Sequence, residues 1–344
     1  MDKNFNPNDL SVVNGNYFAL PFSAQECELV IVSVAWDVTV SYREGTASGP
    51  AAIIDASAQV DLYDIYNPNG YKKGIGTVEI NPEIEAKSSQ LRADAVEVIE
   101  LLSEGCDKNN NKVVELTQKV NQGSEYMNEY VYQTTKKWLD MGKKVALVGG
   151  DHSTPFGYIK ALSEREGEIA ILHIDAHADL REAYEGFEYS HASIMYNVID
   201  KIEGVNSLVQ VGIRDFCDDE MAIIENNPKI STFFDSHLSD RQFMGDNWDS
   251  ICRDIVHKLK GKKVYISFDI DGLSPDNCPS TGTPVPGGLS YMQAIYLINM
   301  ITQMGKTIVG FDLVEVAPSP KSDDEWDANV GARMLYKLCN LALK

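Results

Sequence analysis

The stretch "ILHIDAHADLR", residues 171–181, begins as an apolar run and ends in acids and an imidazole at strict two-residue spacing. In extended backbone, residues two apart point to the same side, so Asp175, His177 and Asp179 converge on one spot beyond a strand. An apolar run of this length is a buried strand, and ligands collect at the carboxyl ends of strands in open α/β sheets. The alternation asks for a cation.

Outward from this stretch, similar apolar runs occupy residues 29–36, 144–150, 207–213, 263–271 and 307–316. Amphipathic segments of helical length lie between them, near 83–104, 124–141, 153–165, 191–202, 239–260, 290–304 and 327–343, and "GTASGPAAI" starts another, with Pro50 in its first turn. This alternation predicts a largely parallel sheet covered by helices on both faces. Neither a repeat nor a linker divides the chain, so one domain is expected over 1–344. Residues 1–25 read as an N-terminal extension and the polar segment 103–124 as a surface insertion. Within that segment "DKNNNKVVELTQ" imitates a calcium loop, but Lys112 stands where the glycine belongs and Gln118 where the closing glutamate belongs, so it is read as a turn.

The chain carries 51 acidic against 30 basic residues, a formal net charge of −21. Such a balance argues against nucleic acid or an anionic membrane surface as a partner and would draw in a small cation, although acidity also serves solubility. The N-terminus does not read as a secretory signal, and no apolar run reaches the length of a membrane span. Six cysteines are scattered without the spacing of a zinc knuckle or a disulfide framework. A cytoplasmic location is expected.

Two further strand ends repeat the opening pattern. "LVGGDHS" delivers Asp151 and His152, and "YISFDIDGLSP" delivers Asp269 and Asp271. Taken singly, each fits a solvated loop with helix-capping side chains; jointly, three strand ends rich in ligands point to a metal centre. Two imidazoles and four carboxylates without a thiolate suit manganese better than structural zinc, calcium or magnesium. Six ligands exceed the needs of one ion with open positions. Two ions sharing bridging carboxylates, roughly 3.5–4 Å apart, would lower the pKa of water enough for hydrolysis near neutral pH.

"GGDHS", "DAHAD", "SFDIDGLSP" and "TGTPVPGGLS" resemble, in order and spacing, the motifs of the ureohydrolases, the arginase and agmatinase family. The likeness runs from "VSYREGTASGPAAI" (40–53) to "DLVEVAP" (312–318). It implies a three-layer α/β/α arginase-like fold with a mainly parallel sheet, two Mn2+ per subunit, and hydrolysis of a guanidino group to urea and an amine. By this resemblance His152 and Asp179 hold one ion, His177 and Asp271 the other, and Asp175 and Asp269 bridge. Glu315 falls on the glutamate that binds the guanidinium, a role suited to a carboxylate that takes two parallel N–H bonds. His191 falls on the histidine that passes protons to the leaving amine. His173 and Asp151 are expected to support the site, and Cys278 to be a bystander.

The family does not fix the substrate. In "DLREAYEGFEYSHAS", Arg181 replaces the asparagine with which arginases read the α-carboxylate end of arginine, and Ala192 replaces a glycine. This form is similar to that of bacterial and archaeal agmatinases, and Glu182, Glu185 and Glu188 make the loop acidic, which suits the cationic tail of agmatine. Arg181 could instead reach a carboxylate or pair with a glutamate. Arginine, guanidinobutyrate, aminopropylagmatine and guanidine stay open as substrates, as does a non-catalytic metal-binding protein with a regulatory or assembly role. A homo-oligomer, trimer or hexamer, is implied by the family.

Overall fold

Apolar residues of both parities within each strand require a sheet buried on both faces, and the architecture follows from that. The structure, a computed structural model, describes residues 5–9, 11–321 and 323–344. Its strands are β1 (Leu29–Val34), β2 (Ile75–Val78), β3 (Lys144–Gly149), β4 (Ile169–Ile174), β5 (Val205–Ile213), β6 (Ile230–Phe234), β7 (Lys263–Asp269) and β8 (Thr307–Val314). They form one sheet in the order β2-β1-β3-β8-β7-β4-β5-β6, with every pairing parallel. The helices are α1 (Gly49–Ser57), α2 (Pro82–Ser103), α3 (Asn111–Asp140), α4 (Phe156–Glu166), α5 (Ile194–Lys201), α6 (Asp218–Asn226), α7 (Asp235–Phe243), α8 (Trp248–Lys258), α9 (Tyr291–Gln303) and α10 (Trp326–Ala342).

Strand alternation divides the core in two. Leu29 and Ile31 of β1, with Leu172 and Ile174 of β4, pack under α1 and α8 to α10. Val30 and Val32, with Ile171, pack under α2 to α5. The result is the three-layer arrangement, with parallel strands whose carboxyl ends all open on one edge. No helix among the described residues is long and apolar enough to cross a membrane.

Four features depart from the sequence reading. The edge strands β2 and β6 were not expected, because β2 spans only four residues and most of β6 is half-buried, so neither shows a long apolar run. The single helix expected over 239–260 is broken into α7 and α8 around Gly245, whose φ of +106° ends one helix, while Asn247 caps the next by accepting from Ser250 N at 2.9 Å. The surface insertion expected at 103–124 stops at Asn110. From Asn111 onward the chain is the first half of the 30-residue α3, which buries Val113, Val120 and Met127 against α2 and α4. That seven-residue stripe is narrow and flanked by polar faces, so composition alone reads it as surface. Residues 17–20 of the supposed N-terminal extension are likewise core, with Tyr17, Phe18 and Leu20 fully buried.

Candidate metal centre

β3, β8, β7 and β4 are neighbours in the sheet, so the residues just beyond their carboxyl ends meet at one place. Beyond β3 the chain must pass close to the segment after β1: a Cβ on Gly150 would lie 2.0 Å from Trp36 O, and Asp151 N donates to that same oxygen at 2.8 Å. Only glycine permits this approach, and it turns His152 inward.

His152 Nε2 pairs with Ser267 Oγ at 2.9 Å, and Ser267 donates in turn to Asp312 Oδ2 at 2.9 Å. Because the serine gives its proton to Asp312, His152 donates from Nε2 and keeps a lone pair on Nδ1. That Nδ1 is buried without a hydrogen-bond partner and faces Asp175 Oδ2, Asp179 Oδ2 and Asp269 Oδ2 at 3.0, 3.2 and 3.2 Å. A second group forms on the other side of Asp175, where His177 Nδ1 lies 3.1 Å from Asp271 Oδ2 and 3.4 Å from Asp175 Oδ1. Asp175 therefore touches both groups, and His173 Nε2 meets its Oδ2 at 2.8 Å.

The electrostatics fit a cation. Among the described residues no lysine or arginine forms an ion pair with Asp175, Asp179, Asp269 or Asp271. Burial, with the Asp175 charge added, pushes Asp179 up to about 7. Burial and the neighbouring Asp271 and Asp175 hold Asp269 well above the usual carboxylate range. Burial opposes ionisation of Asp175 too, but the surrounding histidines outweigh it and keep its carboxyl well below that range. Buried carboxylates in such number call for pairing or metal coordination, so the residues fit a divalent metal pair.

Two of the inward-facing acids sit on left-handed backbone, Asp179 at φ +53° and Glu315 at φ +63°. For non-glycine residues this costs about 1–3 kcal/mol each and persists only where surroundings enforce it. Met195 N and Tyr196 N, at the start of α5, both donate to Asp179 O at 3.1 Å. Glu315 N donates to Gly150 O at 2.8 Å, and Thr281 Oγ1 donates to Glu315 O at 2.7 Å. Its Oε1 accepts His152 N at 2.8 Å, which ties the glutamate to the loop after β3.

A cleft of about 170 Å³ opens beside the centre, lined by Ser41, His177, Asp179, Arg181, Tyr184, His191, Asp215, Phe216, Glu220 and Thr283, among others. His191 is held by its backbone N on Thr39 Oγ1 at 3.1 Å, with Nε2 3.4 Å from Ser41 Oγ. Burial pushes its imidazole down to about 3. It is therefore neutral at neutral pH. Arg181 lies at the rim, its guanidinium 4.8 Å from the Tyr184 ring centroid and its Nε 3.7 Å from Glu220 Oε2.

Glu182 and Glu188 of this loop line a neighbouring groove instead of the cleft, whose lining acids include Asp215 and Glu220 from the segment after β5. Glu220 also accepts Leu180 N at 3.0 Å and Cys217 N at 2.9 Å, so it braces the loop and caps α6 together. Sequence reasoning passed over both acids, although the strand-end rule that found the other candidate residues applies equally to "VGIRDFCDDE" at the end of β5. It also passed over Asn121. In α3, that side chain donates to Gly186 O at 3.2 Å and accepts from Glu188 N at 3.1 Å, clamping the hairpin turn formed by Tyr184 to Phe187.

Residues 27–340 match the Arginase family. The chain is 31% identical over 317 residues to the N(1)-aminopropylagmatine ureohydrolase of Thermus thermophilus, covering 92% of this chain and 91% of that one. It is 29% identical over 303 residues to the agmatinase of Bacillus anthracis, covering 88% of each. Among solved structures, the agmatine ureohydrolase of Thermoplasma volcanium has a TM-score of 0.70 at 23% identity, covering 96% of this chain and 94% of that one, a likeness of fold.

Proposed function

The chain is a ureohydrolase of the arginase family, and from that premise we propose that it hydrolyses agmatine to putrescine and urea with two manganese ions per subunit. The observation that carries this reading is the buried, unpartnered His152 Nδ1 facing three carboxylates beside a cleft whose rim holds Asp215 and Glu220. His152 and Asp179 would hold one ion and His177 and Asp271 the other, with Asp175 and Asp269 between them. Divalent ions held by these residues would lower the pKa of water toward neutrality.

The chain's own residues do the rest. Glu315, fixed behind His152, takes two parallel N–H bonds from the planar guanidinium and aims its carbon into the centre. Neutral His191 accepts a proton and returns it to the departing amine. Asp215 favours a cationic tail and repels a carboxylate. Arg181, the rim's cation, is already engaged by Glu220 and Tyr184, which disfavours arginine and guanidinobutyrate. Guanidine would leave the rim without a role. N1-aminopropylagmatine is the second reading: the groove adjoining the cleft, about 970 Å³ and lined by Glu182, Glu188, Asp200 and Asp219 among others, offers acidic walls to a longer polyamine.

Urea release across these five compounds with added manganese tests the proposal. Agmatine is expected to be turned over at least tenfold more efficiently than the others, and no turnover of agmatine overturns the assignment. His191→Asn is expected to lower kcat by about 10²–10⁴ with metal content unchanged, as steady-state kinetics and metal analysis would show. Asn121→Ala removes two hydrogen bonds worth about 1 kcal/mol each. It is expected to raise KM about tenfold with little change in kcat, and a parallel fall in kcat would show that the clamp acts on chemistry instead. The proposal extends to a cytoplasmic homo-oligomer of three or six copies without nucleic-acid or membrane partners, which light scattering on the purified protein checks for copy number.

A further inference from the structure

Asp175 stands at the end of a hydrogen-bonded row that crosses three strands. Its Oδ2 meets His173 Nε2 at 2.8 Å, His173 Nδ1 meets Gln210 Nε2 at 3.0 Å, and Gln210 Oε1 accepts Thr232 Oγ1 at 2.9 Å. The row follows the ladder, since His173 of β4 is in register with Gln210 of β5, and Gln210 with Thr232 of β6. Register partners share a face of the sheet, so three adjacent strands bring these side chains into line.

The direction of the protons is determined. Gln210 Nε2 also donates to Ala178 O at 2.7 Å, and a carbonyl can only accept, so this end of the amide is the NH2 group. His173 Nδ1 must then accept, which places the ring proton on Nε2, pointing at Asp175. Gln210 is fully buried between Val209 and Val211, where packing alone would favour an apolar residue. Its two donor bonds reach both sides of the ligand segment: one through His173 to Asp175, the other to Ala178, which lies between His177 and Asp179.

We propose that Gln210 is a positioning residue for the metal centre, holding His173 in the Nε2–H tautomer that orients Asp175 and anchoring the His177–Asp179 segment through Ala178, with Thr232 fixing the amide from the edge strand. A carboxylate shared by two ions has few lone pairs to spare, and a fixed donor on Oδ2 sets which remain for metal. This inference rests on the reading that Asp175 binds both ions.

The test titrates ion-free protein with manganese(II) by calorimetry for the wild type, Gln210→Met and Thr232→Val. Methionine keeps the volume and removes both donors, and valine removes only the distant hydroxyl. Gln210→Met is expected to bind manganese about 10–100-fold more weakly, and Thr232→Val more weakly by a smaller factor. Selective 15N labelling of histidine in ion-free protein is expected to show His173 protonated on Nε2 in the wild type and as a tautomer mixture in Gln210→Met. If Gln210→Met does not fold, Thr232→Val and the wild-type tautomer decide. A wild type that binds two ions beside variants of equal affinity, or His173 protonated on Nδ1, overturns the inference alone. A wild type that binds no manganese overturns the reading of the centre as well.

Discussion

Asp175→Asn is expected to lower kcat/KM by at least about 10³, roughly 4 kcal/mol at 1.36 kcal/mol per decade, and to reduce bound manganese from two ions per chain to one or none. Asparagine keeps the volume, and its oxygen can still accept His177 N, which donates to Asp175 Oδ1 at 2.6 Å. What it loses is the charge and the second acceptor oxygen. Oδ2 is the atom that lies 3.0 Å from His152 Nδ1 and 2.8 Å from His173 Nε2, so an amide NH2 there would oppose the His173 donor. Among the described residues Asp175 is the carboxylate that contacts both His152 and His177, so its loss weakens both groups at once. Metal analysis alongside kinetics checks this, and a variant retaining two ions and full activity would remove Asp175 from the centre.

Glu315→Gln is expected to leave metal binding intact and lower kcat/KM by about 30- to 5,000-fold, the 2–5 kcal/mol of a buried charged hydrogen-bond partner removed. Glutamine can still accept His152 N, so the loop after β3 keeps its anchor. It offers no charge and only one acceptor oxygen to a guanidinium. Burial, with the Asp151 charge behind it, holds the Glu315 carboxyl well above the usual range. A bound guanidinium reverses that shift by favouring the ionised form. Protonation therefore competes with substrate as pH falls, so KM should rise toward acid pH in the wild type. The same KM should stay flat in Glu315→Gln, and an identical profile in both would detach Glu315 from substrate binding.

Part of this site is readable in one dimension because its residues are spaced by the strand itself. Asp175, His177 and Asp179 alternate directly after an apolar run, as do Asp269 and Asp271, and parallel strands must all end at one edge. Asn121, Gln210 and Thr232 carry no such mark. Asn121 lies on a helix whose apolar stripe is too thin to announce itself, and Gln210 looks like one polar residue inside a strand. Its meaning depends on His173 and Thr232, which stand 37 residues before it and 22 after it and are brought alongside by sheet order.

By itself, then, the sequence determined the layered parallel fold and the placing of acids and imidazoles at its strand ends, since burial on both faces and two-residue spacing are local properties of the chain. Only the tertiary structure decided that β3, β8, β7 and β4 stand side by side, that His152 Nδ1 turns toward three carboxylates, and that Asp215 and Glu220, not the glutamates of the 180–192 loop, face the cleft. Those outcomes depend on strand order and on loops held by distant hydrogen bonds, and neither is encoded in the spacing of neighbouring residues.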